Sequence, residues 1–352
     1  MEFYMYNNIT IQELFDLNQQ GAQTVVDVRS PKEFNDMTIP GSINIPVFND
    51  TERAEVGTLY KQVGKEEAME RGLDIFSAKL PDFIHTFKQI NTPITIFCWR
   101  GGMRSQAAAT VLELMNVHVN RLSGGVRSYR QWVLSELDKQ EFPPHLYVLN
   151  GHTGIGKTLI LKSLHENGYP IIDLEGMANH RGSIFGHIGR RPNNQKTFES
   201  LLVQKMLQYA HMPYIILEGE SKRIGKASLP EFLYKKKELG TQIFIQVPIE
   251  ERVSNILQDY QPWKYPEAFK EAFYLIKKRI PFSVARDMEA SLQNAQYPTT
   301  VKLLLEHYYD PRYEYTEKHL LSNDVYRIEA DSTKGAAKKV QKLIDKLEGN
   351  DS

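Results

Sequence analysis

The sequence predicts an α/β protein with two successive domains, each built around a parallel sheet. Short apolar, β-branched runs alternate with helical segments along most of the chain, a pattern typical of parallel sheets covered by helices. At 352 residues the chain is long enough for two separate cores. A polar stretch with two prolines, residues 139–145, separates the halves. We therefore predict one domain over residues 1–138, a linker over 139–145 and a second domain over 146–352.

The amino-acid composition limits the kinds of partner and of covalent or metal site that this protein can have. The 43 basic residues balance 43 acidic ones, so any nucleic-acid surface must be a local patch. A single cysteine excludes an intrachain disulfide and a cysteine-based zinc site, and it suits a reducing cytoplasm. Residues 1–8 lack the pattern of a signal peptide, and no apolar run reaches membrane-spanning length. We expect a cytoplasmic protein without membrane association or a tightly bound cofactor; the oligomeric state stays open.

The first half alternates strand and helix. Residues 24–28 form a β-branched strand, and Ser30, Pro31 and Glu33 then make a capping box with proline at the first helical position. Residues 50–90 are mostly helical. The remaining predicted elements are a strand at 94–97, a helix reaching about Met115, a strand ending at Gly125 and a helix over 128–137.

Cys98 lies where a predicted strand ends and a helix begins. Backbone N–H groups and the positive end of the helix converge on such a point. Gly101 and Gly102 let the backbone curl around it. The positive charges of Arg100 and Arg104 favour the thiolate. We therefore predict that Cys98 is a nucleophile rather than a buried structural cysteine, with the two arginines as anion ligands.

Four segments in this half resemble the rhodanese family. They are Asp27–Phe34, Ile39–Pro46, the loop that begins at Cys98, and Leu122–Gly125; the histidine usual before the second segment is Thr38 here. The resemblance covers residues 10–138 and implies a rhodanese-like domain. It also implies that Cys98 carries or attacks sulfur or selenium, while Asp27 and Arg29 form a structural pair that braces the loop.

The second half opens with a phosphate-binding motif. A strand at 146–150 leads into residues 151–158, GHTGIGKT, which match G-x-x-x-x-G-K-[ST] in full, and an amphipathic helix follows. Backbone N–H groups of such a loop cradle linked phosphates, the lysine neutralises their charge and the threonine could hold Mg²⁺. This pattern predicts a P-loop NTPase-like α/β domain. The predicted phosphate-binding residues are Gly151, Gly154, Gly156, Lys157 and Thr158.

Charged residues follow further strands of this half. Predicted strands at 170–176 and 214–220 end in carboxylates, where P-loop proteins place metal-directed acids; helix capping is the alternative for each. The loops at 179–186 and 221–225 add cations to the same edge. The sequence establishes no metal but leaves Mg²⁺ open. The candidate site residues here are Asp173, Glu175, Arg181, Ser183, Glu218 and Arg223.

Residues 260–315 form a helical segment rich in aromatic and basic side chains. Phe269, Phe273 and Ile276 have helical spacing, and we predict that most of the aromatic side chains are core. The others, interleaved with cations, could stack on unpaired bases and contact phosphates. Residues 307–313 read as a polar and aromatic turn. A strand at 325–329 and an amphipathic helix at 333–347 complete the prediction.

As a whole, the chain resembles the tRNA 2-selenouridine synthases. The matching segments are the Cys98 loop, the P-loop at 151–158, residues 173–186 and residues 217–225. The resemblance implies a transferase acting on tRNA that carries 2-thiouridine at the wobble position. It also implies two further substrates: selenophosphate, which supplies selenium, and geranyl diphosphate, which supplies a group that turns the sulfur into a better leaving group.

On this interpretation the two motifs divide the work. Lys157 stabilises the departing diphosphate, Cys98 handles selenium, and Arg181 and Arg223 contact diphosphate or tRNA phosphates. The position of the geranyl tail is left unassigned. One alternative is an ATP-dependent tRNA sulfurtransferase, in which the P-loop activates a carbonyl and Cys98 delivers sulfur as a persulfide. The other is a non-catalytic regulator that senses a nucleotide.

Overall fold

The computed structural model describes residues 6–21, 23–317 and 324–349. The chain divides into two compact units, Met1–Lys139 and Gln140–Ser352. Each unit has its own parallel five-stranded sheet and its own hydrophobic core. The predicted α/β class with parallel sheets is therefore confirmed. None of the helices in these described ranges combines the length and apolar character needed to cross a bilayer. The prediction on signal sequences rests partly on residues 1–5, which lie outside the described residues.

The first unit alternates short strands and helices. Its elements in chain order are β1 (Asn7–Ile9), α1 (Ile11–Gln20), β2 (Thr24–Asp27), α2 (Pro31–Asp36), β3 (Ile43–Asn44), α3 (Asp50–Gln62), α4 (Lys65–Lys88), β4 (Ile94–Phe97), α5 (Met103–Leu114), β5 (Val119–Leu122) and α6 (Gly125–Asp138).

The first sheet has the strand order β1-β5-β4-β2-β3. Val26 pairs with Ile96, and Thr95 with Asn120, so β4 is central. All four residues of β4 are buried, as its unbroken apolar and β-branched sequence predicts. Because parallel strands end at one edge, the loops after β2, β4 and β5 meet there. Cys98 opens the middle one of these loops.

Helices α3 and α4 form a hairpin beside this sheet. Helix α4 has seven buried residues, whereas α3 has none. Helix α3 begins with a capping box at Asn49, and α2 begins with the predicted one at Ser30. Helix α3 therefore lies on the outside of the unit, packed along α4, and reaches the core with Val56.

The second unit contains a sheet and a large helical part. Its elements are β6 (His145–Asn150), α7 (Lys157–Glu166), β7 (Ile171–Ile172), α8 (Leu174–Ala178), α9 (Gln195–Tyr209), β8 (Tyr214–Glu218), β9 (Arg223–Ile224), β10 (Ala227–Ser228), α10 (Glu231–Leu239), β11 (Thr241–Gln246), α11 (Ile249–Tyr260), α12 (Pro266–Ile276), α13 (Phe282–Gln293), α14 (Tyr297–Leu304), a π-helical turn (Leu305–Tyr309), α15 (Asp310–Glu317), β12 (Val325–Glu329) and α16 (Thr333–Leu347).

The second sheet has the strand order β12-β11-β6-β8-β7 and is also parallel. Strand β6 is central, paired with β8 on one side and β11 on the other. The P-loop follows β6, and the acidic end of β8 lies next to it. Strands β9 and β10 form a separate antiparallel pair.

The helical part has a hydrophobic core of its own, which includes Phe185, Tyr260, Phe269, Phe273 and Ile276. The residues with helical spacing, Phe269, Phe273 and Ile276, therefore face this core, as predicted. Other aromatic side chains of this segment are exposed, among them Trp263, Tyr274 and Phe282. The side chain of Tyr315 lies outside the described residues.

Two sequence predictions are wrong in this unit. Residues 170–176 do not form one strand, because β7 ends at Ile172 and Asp173 caps the next helix by accepting a hydrogen bond from the Gly176 N–H (2.7 Å). Residues 307–313 are not a turn. They belong to the π-helical turn and to α15, so this polar and aromatic segment is helical throughout.

Two candidate active sites

The Cys98 side chain lies beneath its loop and belongs to the core of the first unit, with 3% of the residue exposed. Its Sγ is 3.2 Å from the Ser105 Oγ and 3.8 Å from the Gly102 carbonyl oxygen. Within the described part of the chain, the backbone N–H groups of Arg100, Gly101 and Gly102 donate no hydrogen bond. The loop thus places a buried thiol beside free N–H donors, and a substrate reaches the sulfur only if the loop moves.

Backbone contacts between the β4 and β5 loops hold this loop in place. The Val126 N–H donates to the Cys98 carbonyl (2.9 Å), and the Arg127 N–H donates to that of Trp99 (3.0 Å). Gly125 has a left-handed φ of +58°, and a Cβ there would lie 2.2 Å from the Cys98 carbonyl oxygen. Only glycine allows the two loops to approach this closely.

Asp27 and Arg29 brace the same edge. Arg29 is fully buried and donates two hydrogen bonds to one Asp27 oxygen from its backbone N–H (2.9 Å) and its Nε (3.0 Å). The Thr38 hydroxyl also donates to Asp27 (3.0 Å). The Arg29 guanidinium lies 5.9 Å from the Trp99 ring. These contacts agree with the structural role predicted for the pair.

The two arginines of the loop differ. Arg104 donates both terminal nitrogens to Glu33, so its charge is paired inside the unit and does not lie free as predicted for an anion ligand. Burial works against the charged Glu33, but Arg104 outweighs it and holds the pKa of this carboxyl below its ordinary value. Arg100 is exposed and has no ion pair among the described residues. Arg100 is therefore the cation available to an incoming anion.

The P-loop has the predicted conformation. The three glycines Gly151, Gly154 and Gly156 all have positive φ, and helix α7 begins at Lys157 directly after them. A Cβ on Gly156 would lie 2.5 Å from the Thr333 methyl carbon, so the loop also needs glycine for packing.

Side chains from distant parts of the chain fix the loop carbonyls. Arg252 Nε donates to the Thr153 carbonyl (2.9 Å), and Asn255 donates to that of Gly154 (2.8 Å). The Thr333 hydroxyl donates to the Ile155 carbonyl (3.1 Å). The other two nitrogens of the buried Arg252 form a bidentate pair with Asp310. These side chains hold the loop carbonyls on the protein side. The Ile155 N–H donates to the His152 carbonyl (3.3 Å), and the remaining N–H groups of the loop are left for a phosphate.

Four carboxyl groups interact with one another near the start of α7: Asp173, Glu175, Glu218 and Glu220. Glu218 is buried at the end of β8; its Oε1 accepts the Glu175 N–H (2.8 Å), and its Oε2 has no hydrogen-bond partner in the described structure. Burial and the nearby Asp173 and Glu175 charges raise the pKa of Glu218 well above its ordinary value. Burial and Glu220 raise the pKa of Glu175 to about 8, although Lys157 opposes them. At neutral pH Glu175 therefore keeps its proton.

Lys157 is the charge that balances this cluster. Its Nζ is 3.6 Å from Glu220 Oε1 and 6.0 Å from the centre of the Tyr313 ring. Burial lowers the pKa of this lysine, but Tyr313 and the carboxylates outweigh burial and raise it. Thr158 lies beside it and donates to Glu175 Oε2 (3.3 Å). A largely buried ammonium that stays charged beside unbonded loop N–H groups is suited to hold an anion.

The other candidates lie apart from this centre or serve the fold. The Arg181 guanidinium donates to the Asp259 side chain (2.6 Å) and to two carbonyls, and it stacks 4.3 Å from the Tyr260 ring, so it does not lie free as a phosphate ligand. Ser183 is hydrogen-bonded to the Tyr260 hydroxyl (3.1 Å). Arg223 is exposed on β9 and donates only to the Gly225 carbonyl (3.2 Å).

Sequence reasoning missed the residues that shape both sites. They are Ser105 beside the thiol, and Arg252, Asn255, Tyr313 and Thr333 around the P-loop; Glu220, by contrast, is one of the carboxylates that end the predicted strand at 214–220. Ser105 follows Cys98 in the first turn of α5, which is a local signal for a side chain near the sulfur. The other missed residues come from separate elements, and nothing in their neighbouring sequence marks them.

Comparison with known proteins assigns a family model to each half of the chain. The family model described as the tRNA 2-selenouridine synthase AAA domain matches residues 144–346, and the rhodanese-like domain model matches residues 10–131. The chain belongs to the tRNA 2-selenouridine synthase family. Its first unit is thus rhodanese-like and its second is the family's AAA domain, as the motifs predict.

Individual relatives agree over most of the chain. The tRNA 2-selenouridine synthase of Psychromonas ingrahamii is 30% identical over 83% of this chain and 87% of its own length. That of Hydrogenovibrio crunogenus is 32% identical over 83% of this chain and 88% of its own length. A crystallised N-terminal domain from Clostridium difficile 630 is 38% identical over 36% of this chain and 99% of its own length, with a TM-score of 0.35. The two synthases are tRNA-modifying enzymes by name.

Proposed function

We propose that the protein converts 2-thiouridine at the wobble position of tRNA into 2-selenouridine in two steps at two sites. The family membership supports the overall reaction. One observation carries the division into steps: the buried ammonium of Lys157 lies at a phosphate loop in one unit, whereas the only cysteine lies in the other unit. The P-loop unit would perform alkylation and the rhodanese-like unit the exchange.

In the first step, the sulfur of 2-thiouridine attacks C1 of geranyl diphosphate. The S–C1 bond forms as the C1–O bond breaks, and diphosphate leaves with the electron pair. The P-loop N–H groups and Lys157 would stabilise the charge that develops on the leaving group. This step needs no nucleotide, because the loop recognises linked phosphates.

An apolar cavity in the second unit offers a place for the geranyl tail of the donor. It begins at Thr153 of the P-loop and is lined by Phe185, Ile256, Phe273 and Leu304, among others. Its volume of about 30 Å³ accommodates roughly one water molecule. A ten-carbon chain would therefore enter only if the lining helices separate, which would couple donor binding to movement of the helical part.

The residues also fit Mg²⁺. No group of three or more His, Cys, Asp and Glu side chains in the described ranges is arranged to hold a metal ion. However, Mg²⁺ bound to a diphosphate needs only one or two protein oxygens. Thr158 and Glu218 would supply them, since Glu218 Oε2 is buried without a partner. The ion would neutralise charge on the diphosphate.

In the second step, the Cys98 thiolate adds to C2 of the alkylated uridine. Geranylthiolate leaves with the electrons of the broken C2–S bond and takes up a proton. The selenium of selenophosphate then displaces the Cys98 sulfur from C2. Water cleaves the Se–P bond and releases phosphate together with 2-selenouridine. Arg100 is the free cation that would attract selenophosphate, and the loop that covers Cys98 would open to admit the base.

Mass spectrometry of an anticodon stem-loop RNA containing 2-thiouridine tests the proposal. Lys157→Ala should lower geranyl transfer at least about a hundredfold, because it removes the charge at the leaving group, yet it should still selenate RNA that is already geranylated. Cys98→Ser should do the reverse. Lys162→Ala is the matched control, since Lys162 is exposed on the same helix. A strict requirement for ATP would instead favour the sulfurtransferase.

A further inference from the structure

The first unit carries a large apolar groove that the proposed reaction has not used so far. The groove lies between the α3/α4 hairpin and α5, and its volume is about 1110 Å³. Its floor includes Val47, Phe48 and Phe76. Large apolar side chains at its sides are exposed: Tyr60, Met69, Leu73 and Met103. Contiguous exposed apolar surface of this kind is typical of a binding site.

One end of the groove lies close to the thiol in the chain, although Cys98 does not itself line the groove. Met103, which lines it, directly follows Gly102, whose carbonyl oxygen is 3.8 Å from the Cys98 Sγ. Met103 also belongs to the first turn of α5, as does Ser105 beside the sulfur. This end of the groove is therefore within one helical turn of the residues that contact the sulfur.

The charges around the groove suit an RNA. Three basic residues and one acidic residue line it: Arg53, Lys61, Arg104 and Glu70. Arg53 lies 3.6 Å from Glu33, and Lys61 has no ion pair within the described part of the chain. Because Glu33 also pairs with Arg104, the groove and its edge keep one net positive charge, and the exposed Lys61 is the unpaired cation. An apolar floor with a free cation at its edge complements a hydrocarbon tail attached to a phosphate backbone.

We propose that this groove binds the geranyl tail of the S-geranylated uridine while Cys98 acts on C2. The inference rests on the proposed function and adds a second hydrocarbon site, separate from the one for the donor. The tail must lie near Cys98 at this stage, because it is bonded to the sulfur that leaves C2. The groove then distinguishes alkylated from unmodified tRNA, so selenium is delivered only to RNA that has a competent leaving group.

Three synthetic stem-loop RNAs, carrying S-geranyl-, S-methyl- or unmodified 2-thiouridine, test this in the full-length protein with selenophosphate supplied. The wild type should prefer the geranyl over the methyl compound by about a hundredfold in the selenation kcat/KM, since the extra carbons are buried. Ala107→Trp fills the groove from α5, where Ala107 is exposed. It should reduce the preference to about fivefold or less and leave the methyl compound unaffected.

Two further variants keep the result interpretable. Leu73→Asp places a charge in the groove at an exposed position and should act like Ala107→Trp even if the latter perturbs folding. Ala78→Trp is the matched control, because Ala78 is exposed on α4 outside the groove. Unchanged preference in both groove variants would overturn the inference, as would a change in oligomeric state on blocking the groove.

Failure of the parent proposal has a different signature. If the wild type does not transfer geranyl from geranyl diphosphate, the first step is wrong, yet binding of the synthetic S-geranyl RNA still reports on the groove. If the wild type transfers geranyl but binds the geranyl and methyl RNAs equally, the groove inference alone is wrong.

Discussion

The cysteine loop and the phosphate loop occupy the same place in their sheets but are held by different interactions. Each follows the central strand of a parallel sheet and leads into a helix. The cysteine loop packs backbone against backbone, with Gly125 against the Cys98 carbonyl. The carbonyls of the phosphate loop are instead fixed by charged and polar side chains, chiefly Arg252. Two similar strand–loop–helix arrangements thus hold a thiol in apolar surroundings and a loop suited to bind phosphate.

This difference indicates which kind of substitution should disrupt each site. A site held by backbone contact fails when volume is added, whereas a site held by a buried ion pair fails when charge is removed. The following predictions, from the largest expected effect to the smallest, test this contrast.

Removing the ion pair behind the phosphate loop should have the largest effect. Arg252→Ala leaves Asp310 without its bidentate partner and frees the Thr153 carbonyl. We expect the second unit to lose about 3–5 kcal/mol of unfolding free energy in urea titrations. Arg286→Ala, at an exposed pair, is the control and should change little. Equal effects of the two would break the comparison.

Adding one carbon to the cysteine loop should rank second. Gly125→Ala places a Cβ 2.2 Å from the Cys98 carbonyl oxygen at a left-handed φ, so we expect about 3 kcal/mol of destabilisation of the first unit. Gly21→Ala is the matched control: its backbone is extended, with φ 171°, and no atom lies within 4 Å of the new carbon. Similar urea midpoints for both variants would contradict the proposed role of backbone contact.

The phosphate site should depend on pH through Glu175. In EDTA, pyrophosphate should bind best while this carboxyl is protonated, and its affinity should fall by up to about tenfold per pH unit above its pKa of about 8. Because the folded pKa is raised, the carboxyl's contribution to stability is full below its ordinary pKa and is lost as pH rises through about 8. Glu175→Gln should flatten both profiles in calorimetry; an unchanged slope would remove Glu175 from the site.

The hydroxyl beside the thiol should have the smallest effect. Ser105→Ala removes the hydrogen-bonding group 3.2 Å from Cys98 Sγ, so we expect alkylation of the thiol to slow about fivefold through loss of a thiolate donor. Because the chain has one cysteine, iodoacetamide labelling reports this site alone. Ser135→Ala, at an exposed hydroxyl on α6, is the control. Faster labelling would mean that the hydroxyl shields the sulfur.

Local patterns explain what the sequence could predict. Some features are determined by a few neighbouring residues. They are the strands β4, β6 and β8, the capping box at Ser30 and the glycine spacing of the P-loop. Such signals survive folding, because buried strands and positive-φ turns constrain residue type directly.

Long-range contacts explain what it could not. Arg104 was predicted to bind anions, but the partner that pairs it, Glu33, lies 71 residues away in the sequence. Asp173 was read as a strand end because the apolar run before it resembles a strand, although the chain turns there into a short helix. A cation and its acceptor reveal their pairing only once the chain is packed.

The contact between Thr333 and the phosphate loop has a consequence for synthesis of the chain. Thr333 opens the last helix, yet its hydroxyl donates to the Ile155 carbonyl and accepts from Asn255. The ribosome makes the glycine motif at residues 151–156 well before it makes residue 333. A nascent chain that has not yet reached Thr333 therefore lacks this anchor, and the phosphate loop gains the contact only after the strands and helices between the two have been synthesised.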